Sequence, residues 1–321
     1  MAQLFAYITH TQGKLEDSAA ELLVAASKFG GDPVIGIVTG SGGDLDTACQ
    51  EAAKRYSNVW KFDHAELGYP NAEKVRKLLT DVLPSDAIVL MAHDTFGMDL
   101  GPGLSIKLDS AFAADVVGIE AVSDGVATLV RQEYAGMAHA HVTCDLSKGA
   151  VLTLRPGVFQ PEEDASTSGQ VEDKSGDVGD LTTNRNFIEV VEAEIGDVDI
   201  TKSDVLVSVG RGIEDEENIE LAEELAEAMG AVVSCSRPIV DAKWLEKSRQ
   251  VGTSGQTVKP KVYMAMGISG SFQHLGGIKG SPFIVAVNKN PKAPIFQVAD
   301  VGIVEDILEF MPELTEKIQE G

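Results

Sequence analysis

Short apolar runs alternate with helical stripes over most of the chain, and this alternation constrains the fold more than any other feature. In the first half, Leu4–Ile8, 34–39, 59–62 and 87–92 read as strands buried in a parallel sheet. Between them, Leu15, Ala19, Leu22, Leu23, Ala26 and Phe29 recur at helical spacing, and Asn71 is placed to cap a helix running to about Val82. From Glu120 the pattern changes to short runs at 126–130, 138–144 and Ala150–Leu154, which suggest added antiparallel strands. Segment 160–185 is rich in Asp, Glu, Ser, Thr and Gly. With so little apolar surface to bury, it is expected to be a long exposed loop. Asp204 opens a second series, with strands at Val205–Val209, 231–235, Val262–Met266, Phe283–Val287 and 295–298. Its helices show faces of Ile219, Ala222, Leu225, Ala226 and Met229, and of Ile303, Ile307, Met311, Leu314 and Ile318. The expected class is α/β, with two domains, each a mainly parallel sheet with helices on both faces.

A length of 321 residues accommodates two such cores. Lys and Arg total 26 against 50 Asp and Glu, a net charge of −24. A surface of that sign repels nucleic acid and anionic membranes, so neither is expected as a partner. No apolar run is long enough to cross a bilayer, so no membrane insertion is expected. The opening Met-Ala-Gln-Leu-Phe-Ala-Tyr-Ile has no basic region and reads as a first strand, not a signal peptide. Cys49, Cys144 and Cys235 are far apart with no metal-ligand spacing, and reduced thiols in a cytoplasmic compartment account for them.

No catalytic constellation stands out: no histidine metal pattern, no Gly-x-Ser-x-Gly turn and no Walker lysine. The informative features are three strand-to-loop junctions in the second half, because open parallel sheets bind ligands beyond the carboxyl ends of their strands. Val207-Ser-Val-Gly-Arg-Gly-Ile213 resembles a dinucleotide turn without its third glycine, and Glu214 to Glu217 after it would repel a phosphate; an ordinary capped turn explains it as well. Met266-Gly-Ile-Ser-Gly-Ser-Phe-Gln-His274 is a better seat for a diphosphate, since small residues let backbone N–H groups approach an anion at a helix start. Taken alone, His274 there is an ordinary helix histidine. Ser236-Arg-Pro with Val251-Gly-Thr-Ser-Gly-Gln-Thr-Val258 offers hydroxyls for a polar ring or sugar chain, or else a mobile surface loop.

These motifs in this order, followed by Val-Asn-Lys-Asn-Pro and Pro-Ile-Phe-Gln-Val-Ala-Asp, resemble the alpha subunit of electron-transfer flavoproteins. The likeness is specific from about Asp204 onward and looser before it, notably at Leu154-Arg-Pro-Gly-Val-Phe159. The resemblance implies an N-terminal domain, 1–193, similar to adenine-nucleotide hydrolases but holding no nucleotide, with the acidic loop 160–185 inside it. It implies a Rossmann-like FAD-binding domain at 194–321. Carried over by position, Arg237 lies against the flavin, where its charge favours the negatively charged reduced forms. Ser254 contacts the ring near N5, within a stretch Val251, Gly252, Thr253, Ser254 where many members read Val-Gly-Gln-Thr-Gly. Thr253 in place of that glutamine puts the glutamine's contact in doubt. His274 sits near the N1 and C2 carbonyl edge. Ser269, Gly270, Ser271, Phe272 and Gln273 hold the diphosphate and ribityl region, and Arg211, Ser236, Asn288, Asp306 and Ile307 contact the rest.

The family implies an electron carrier and not an enzyme with its own substrate, active as a heterodimer with a beta subunit that carries AMP or a second FAD. Electrons would come from an acyl-CoA dehydrogenase or related flavoprotein, as in fatty acid oxidation, and pass to a quinone oxidoreductase or ferredoxin. The alternative is an electron-bifurcating subunit coupling NADH oxidation to ferredoxin and acyl-CoA reduction. An NAD enzyme of Rossmann type is disfavoured by the missing glycine and the acidic run. A nucleotide-binding module in the first domain is disfavoured because Thr39-Gly-Ser-Gly-Gly43 is not followed by a basic residue. A hinge for swinging the FAD domain is expected at 196–203.

Overall fold

Two sheets organise the chain, one in each of two compact units, residues 1–189 and 190–321. The computed structural model describes residues 3–30, 33–134, 138–161, 167–190, 198–280 and 282–320, so the expected boundary near Ala193 lies outside the described residues.

The first unit runs β1 (Leu4–Ile8), a small hairpin β2 (His10–Thr11) and β3 (Lys14–Leu15), α1 (Ser18–Ser27), β4 (Ile35–Gly40), α2 (Gly42–Ala52) and β5 (Asn58–Asp63). It continues with α3 (Ala72–Val82), β6 (Ile88–Ala92), α4 (Thr95–Lys107), β7 (Ala111–Ser123), β8 (Val126–Glu133), β9 (Ala138–Asp145), β10 (Ala150–Leu154) and β11 (Gln170–Asp173). The sheet order is β11-β5-β4-β1-β6-β10-β7-β8-β9, parallel from β11 through β7 and antiparallel beyond. Alternation along β1 explains its wholly apolar reading. Leu4, Ala6 and Ile8 pack under α1 and α2, whereas Phe5 and Tyr7 pack under α3 and α4. Asn71 caps α3 as expected, its Oδ1 accepting from the Glu73 N–H at 3.0 Å.

Two expectations for this unit are corrected. Ala150–Leu154 is not an added antiparallel strand but lies parallel between β6 and β7, and all five of its residues are buried. Polar residues before it mimic a hairpin turn, while its own unbroken apolar run is that of a central strand. Beside it, the unread strand β7 turns at Asp115, which has φ +56°. The Asp115 N–H donates to Thr153 Oγ1 at 3.1 Å and its carboxylate accepts from Arg155 Nε at 2.8 Å, holding this strained residue where β7 leaves β10. Segment 160–185 is not all loop, because Gln170–Asp173 pairs in parallel with β5. All four β11 side chains are exposed, so ladder hydrogen bonds, not burial, place it.

The second unit contains β12 (Val205–Val209), α5 (Ile219–Met229), β13 (Val232–Cys235), α6 (Arg237–Asp241), β14 (Val262–Met266), α7 (Phe272–Leu275), β15 (Phe283–Val287), β16 (Val301–Ile303) and α8 (Ile307–Glu320). Its sheet is wholly parallel, in the order β13-β12-β14-β15-β16. One face packs under α5, α6 and α8; the other packs under α7 with the segments 251–258 and 293–299. The expected strand at 295–298 is instead a 3-10 turn, Pro294–Gln297, because Pro294 starts a helical turn more readily than it extends a parallel ladder. The fifth strand is β16, and Ile303 belongs to it and not to the final helix.

Candidate functional site

Strand order places the site. The first strand of this sheet, β12, lies between β13 and β14, so the crossovers leave in opposite directions and open a crevice beyond the carboxyl ends. Every predicted site residue follows a strand or borders one of these junctions. Arg211 follows β12, Ser236 and Arg237 follow β13, Ser269 to His274 follow β14, Asn288 follows β15, Asp306 lies between β16 and α8, and Ile307 opens α8.

Backbone contacts draw the junctions together. The Gly212 N–H donates to the Gly267 carbonyl at 3.2 Å, tying the turn after β12 to the turn after β14. The Ile295 N–H donates to the Ser269 carbonyl at 3.1 Å. Gly270 has φ +81°, and a Cβ there would lie 2.3 Å from Ile295 N, so glycine is required on both counts. Among the described residues, the N–H groups of Ser269, Gly270, Ser271, Phe272 and Gln273 donate to no protein acceptor. Consecutive free donors at a strand end fit an anion such as a diphosphate. The helix that follows spans only four residues, so the expected helix-start field is small and the backbone donors themselves make the seat.

The polar loop 250–258 is stitched into place. Val251 N–H donates to the Cys235 carbonyl at 2.8 Å and Thr253 N–H to the Gln273 carbonyl at 2.8 Å, which brings Val251, Gly252, Thr253 and Ser254 beside α7. A Cβ on Gly277 would meet Gly252 N at 2.4 Å, so the two chains touch backbone to backbone. Gln250, which the sequence reading missed, is buried and donates from Nε2 to Ser254 Oγ at 3.0 Å. The exposed Ser254 hydroxyl therefore keeps its own proton for a ligand. Its position next to Val251-Gly-Thr-Ser-Gly was the available signal, obscured because a buried glutamine is uncommon.

Ser236 is buried, and its N–H donates to the Val209 carbonyl at 3.0 Å. Arg237 is two-thirds exposed, with Nε 3.3 Å from Asp241 Oδ2. Pro238 occupies the first turn of α6, where its missing N–H costs nothing. The acidic run after Arg211 is partly neutralised, since Lys289 Nζ lies 2.8 Å from both Glu214 Oε1 and Asp306 Oδ2. Lys289 holds the Asp306 carboxyl below its usual range. Asn288 Nδ2 donates to the Ile268 carbonyl at 2.9 Å, bracing the turn after β14.

His274 is buried and faces inward, with Nε2 2.9 Å from the Tyr263 hydroxyl. Burial pushes its imidazole down to about 4, against a weaker raising effect of the Val251 backbone, so it is neutral at physiological pH. Nδ1 is buried without a partner of full hydrogen-bond geometry. Of the two ordinary readings of a helix histidine, facing solvent or satisfied in the core, the structure shows the buried one, paired with Tyr263.

A family model described as the electron transfer flavoprotein domain matches residues 4–178, and one described as the electron transfer flavoprotein FAD-binding domain matches residues 199–279. The chain belongs to the electron transfer flavoprotein alpha subunits. Curated relatives of that name agree along the whole length. The protein of Megasphaera elsdenii is 35% identical, over 96% of this chain and 94% of its own. That of Methylophilus methylotrophus is 35% identical, over 98% of each chain. A lactate dehydrogenase (NAD(+),ferredoxin) subunit, LctC, of Acetobacterium woodii is 30% identical, over 98% of this chain and 76% of its own. As an alpha subunit of this family, the chain has FAD as its cofactor, a beta subunit as its partner, and electron transfer with other redox proteins as its role. The free amides at 269–273 and the Ser254 hydroxyl fit such a cofactor. Among the described residues, no helix is long and apolar enough to cross a membrane, and no group of His, Cys, Asp and Glu could hold a metal.

Proposed function

We propose that this flavoprotein alpha subunit collects electrons from an acyl-CoA dehydrogenase or related flavoprotein and passes them to a quinone oxidoreductase or ferredoxin, with FAD seated on the carboxyl edge of β12–β16. The observation that carries the reading is the run of free backbone N–H groups at 269–273, beside the loop that presents Ser254. FAD supplies the one- and two-electron chemistry, and no acid–base group of the chain is required for it. The residues' work is to bind and to bias. Ser269 to Gln273 would donate hydrogen bonds to the diphosphate and Ser254 would donate one to the ring, while Asn288 and Ser236 brace the turns that carry the donors. Arg237 presents a permanent positive charge once it turns from Asp241. The test is the alpha–beta complex mixed with catalytic acyl-CoA dehydrogenase and an acyl-CoA. Stoichiometric bleaching of the flavin supports the reading, and no bleaching with an active dehydrogenase refutes it.

A second reading, an electron-bifurcating subunit, draws support from the relative named a lactate dehydrogenase (NAD(+),ferredoxin) subunit. Bleaching of the same complex by NADH alone would favour it.

A further inference from the structure

From residue 211 to residue 228, Arg211 is the single cation among eight carboxylates, starting with Glu214 to Glu217. It opens the 3-10 turn Arg211–Ile213, and on such a turn residues three apart lie over one another, so Glu214 is its natural ion-pair partner. Among the described residues, the exposed Arg211 nonetheless pairs with no carboxylate. Glu214 is turned to Lys289, on the turn after β15. Lys289 Nζ lies 2.8 Å from Glu214 Oε1 and 2.8 Å from Asp306 Oδ2, so one ammonium holds both acids. Glu214 reaches it from a backbone φ of +67°, a conformation that strains any residue but glycine. The Glu214 N–H donates to the Arg211 carbonyl at 3.2 Å, and Asn218 Nδ2 donates to the Ile213 carbonyl at 2.8 Å, which keeps the turn in that shape. Lys289 and Glu214 are each about half exposed, so their attraction adds little to stability. What the pair changes is the cation that the glutamate faces. Arg211, meanwhile, is fixed at the crevice between two glycines. A Cβ on Gly210 would lie 2.5 Å from the Gly267 carbonyl oxygen, and one on Gly212 would lie 2.7 Å from Gly267 Cα. Its turn is pressed against the one that leads to the free amides at 269–273.

We propose that Lys289 is a positioning residue, which by taking Glu214 and Asp306 keeps the Arg211 guanidinium unpaired as a phosphate-binding cation of the FAD diphosphate seat. The inference rests on the seating of FAD at the carboxyl edge of β12–β16. It deepens that reading by explaining how an acidic turn can border an anion site. A guanidinium offers phosphate oxygens a fork of N–H donors, and a neighbouring carboxylate would occupy the same fork. With Glu214 held by Lys289, the fork stays open.

The experiment titrates the alpha–beta complex, stripped of its flavin, with FAD at several salt concentrations and follows binding by flavin fluorescence. Lys289→Gln should weaken FAD roughly tenfold, about the worth of one hydrogen bond to a charged group. The deficit should shrink as salt rises, because salt screens the released carboxylates. Glu214→Gln should bind FAD at least as well as the wild type, and Lys289→Gln/Glu214→Gln should regain most of the loss. In an Arg211→Gln background, Lys289→Gln should cost much less than it does alone, since the two residues act through one contact. Thermal melts of the stripped complex should barely move in Lys289→Gln, which separates positioning from folding. If Arg211→Gln weakens FAD and Lys289→Gln does not, or if Glu214→Gln restores nothing, the proposal is overturned and the FAD seat stands. Unchanged affinity in Arg211→Gln overturns the seating of the diphosphate at this turn, and the proposal with it.

Discussion

A buried imidazole loses hydration chiefly in its charged form, and His274 makes that cost measurable. Unfolded, the ring takes a proton near 6.5; folded, near 4. Between those values the unfolded chain holds the extra proton, so acid favours unfolding. The effect is absent above 6.5 and complete below 4, where it amounts to about 3 kcal/mol. His274→Gln should therefore flatten the stability profile between pH 6.5 and 4, as read from urea midpoints, and parallel profiles would refute a depressed His274. Arg237 calls for a different expectation. It is exposed and already paired with Asp241, so its field is screened and shared. Arg237→Ala should keep FAD bound and lower its potential by tens of millivolts, about 60 mV at most, the equivalent of a tenfold one-electron change. Asp241→Asn should shift it oppositely. Loss of FAD in Arg237→Ala would instead make this residue a binding group. At this scale the sequence motifs identified the positions, but not the partners. Nothing in the chain order pairs Tyr263 with His274 or Gln250 with Ser254, because those contacts exist only once β14 and the loop 250–258 are assembled.

Elements whose identity rests on burial were legible, and those resting on backbone pairing were not. The strands Leu4–Ile8, Val205–Val209, Val262–Met266 and Phe283–Val287 stand where their apolar runs put them. The glycine-rich α4, with Pro102 inside it, carries no usable propensity signal. Strand β11 shows the limit most sharply, since its composition is that of a disordered tail. It is tied down by Thr167 N–H on the Lys54 carbonyl at 2.7 Å, by Gly169 N–H on the Ala53 carbonyl at 2.8 Å and by its ladder to β5. A Cβ on Gly169 would fall 1.8 Å from the Tyr56 carbonyl oxygen. Gly169→Val should therefore detach this edge, costing about 1–3 kcal/mol and opening 167–177 to limited proteolysis, while the flavin spectrum of the complex stays unchanged. Equal protease resistance in variant and wild type would show that the edge is held by something else.

For the molecule as a whole, two compact units on one chain invite the swinging-domain expectation. Part of the expected hinge is excluded. Ile200 is buried in the core of the second unit, and Asp199 caps the turn Ile200–Lys202, so 200–202 moves with that unit. Residues 196 and 197 of the expected hinge lie outside the described residues. Stiffening the chain before Asp199 should leave FAD content intact and slow reduction by the dehydrogenase, as read by stopped flow. The central claim is that FAD sits on the carboxyl edge of β12–β16, held by free amides. Hydrogen–deuterium exchange of the alpha–beta complex, with FAD and after its removal, tests this most directly. The account predicts that FAD slows exchange most strongly in peptides covering 250–256 and 268–276. Unchanged exchange there, with protection gained instead in peptides of residues 3–134, would contradict it.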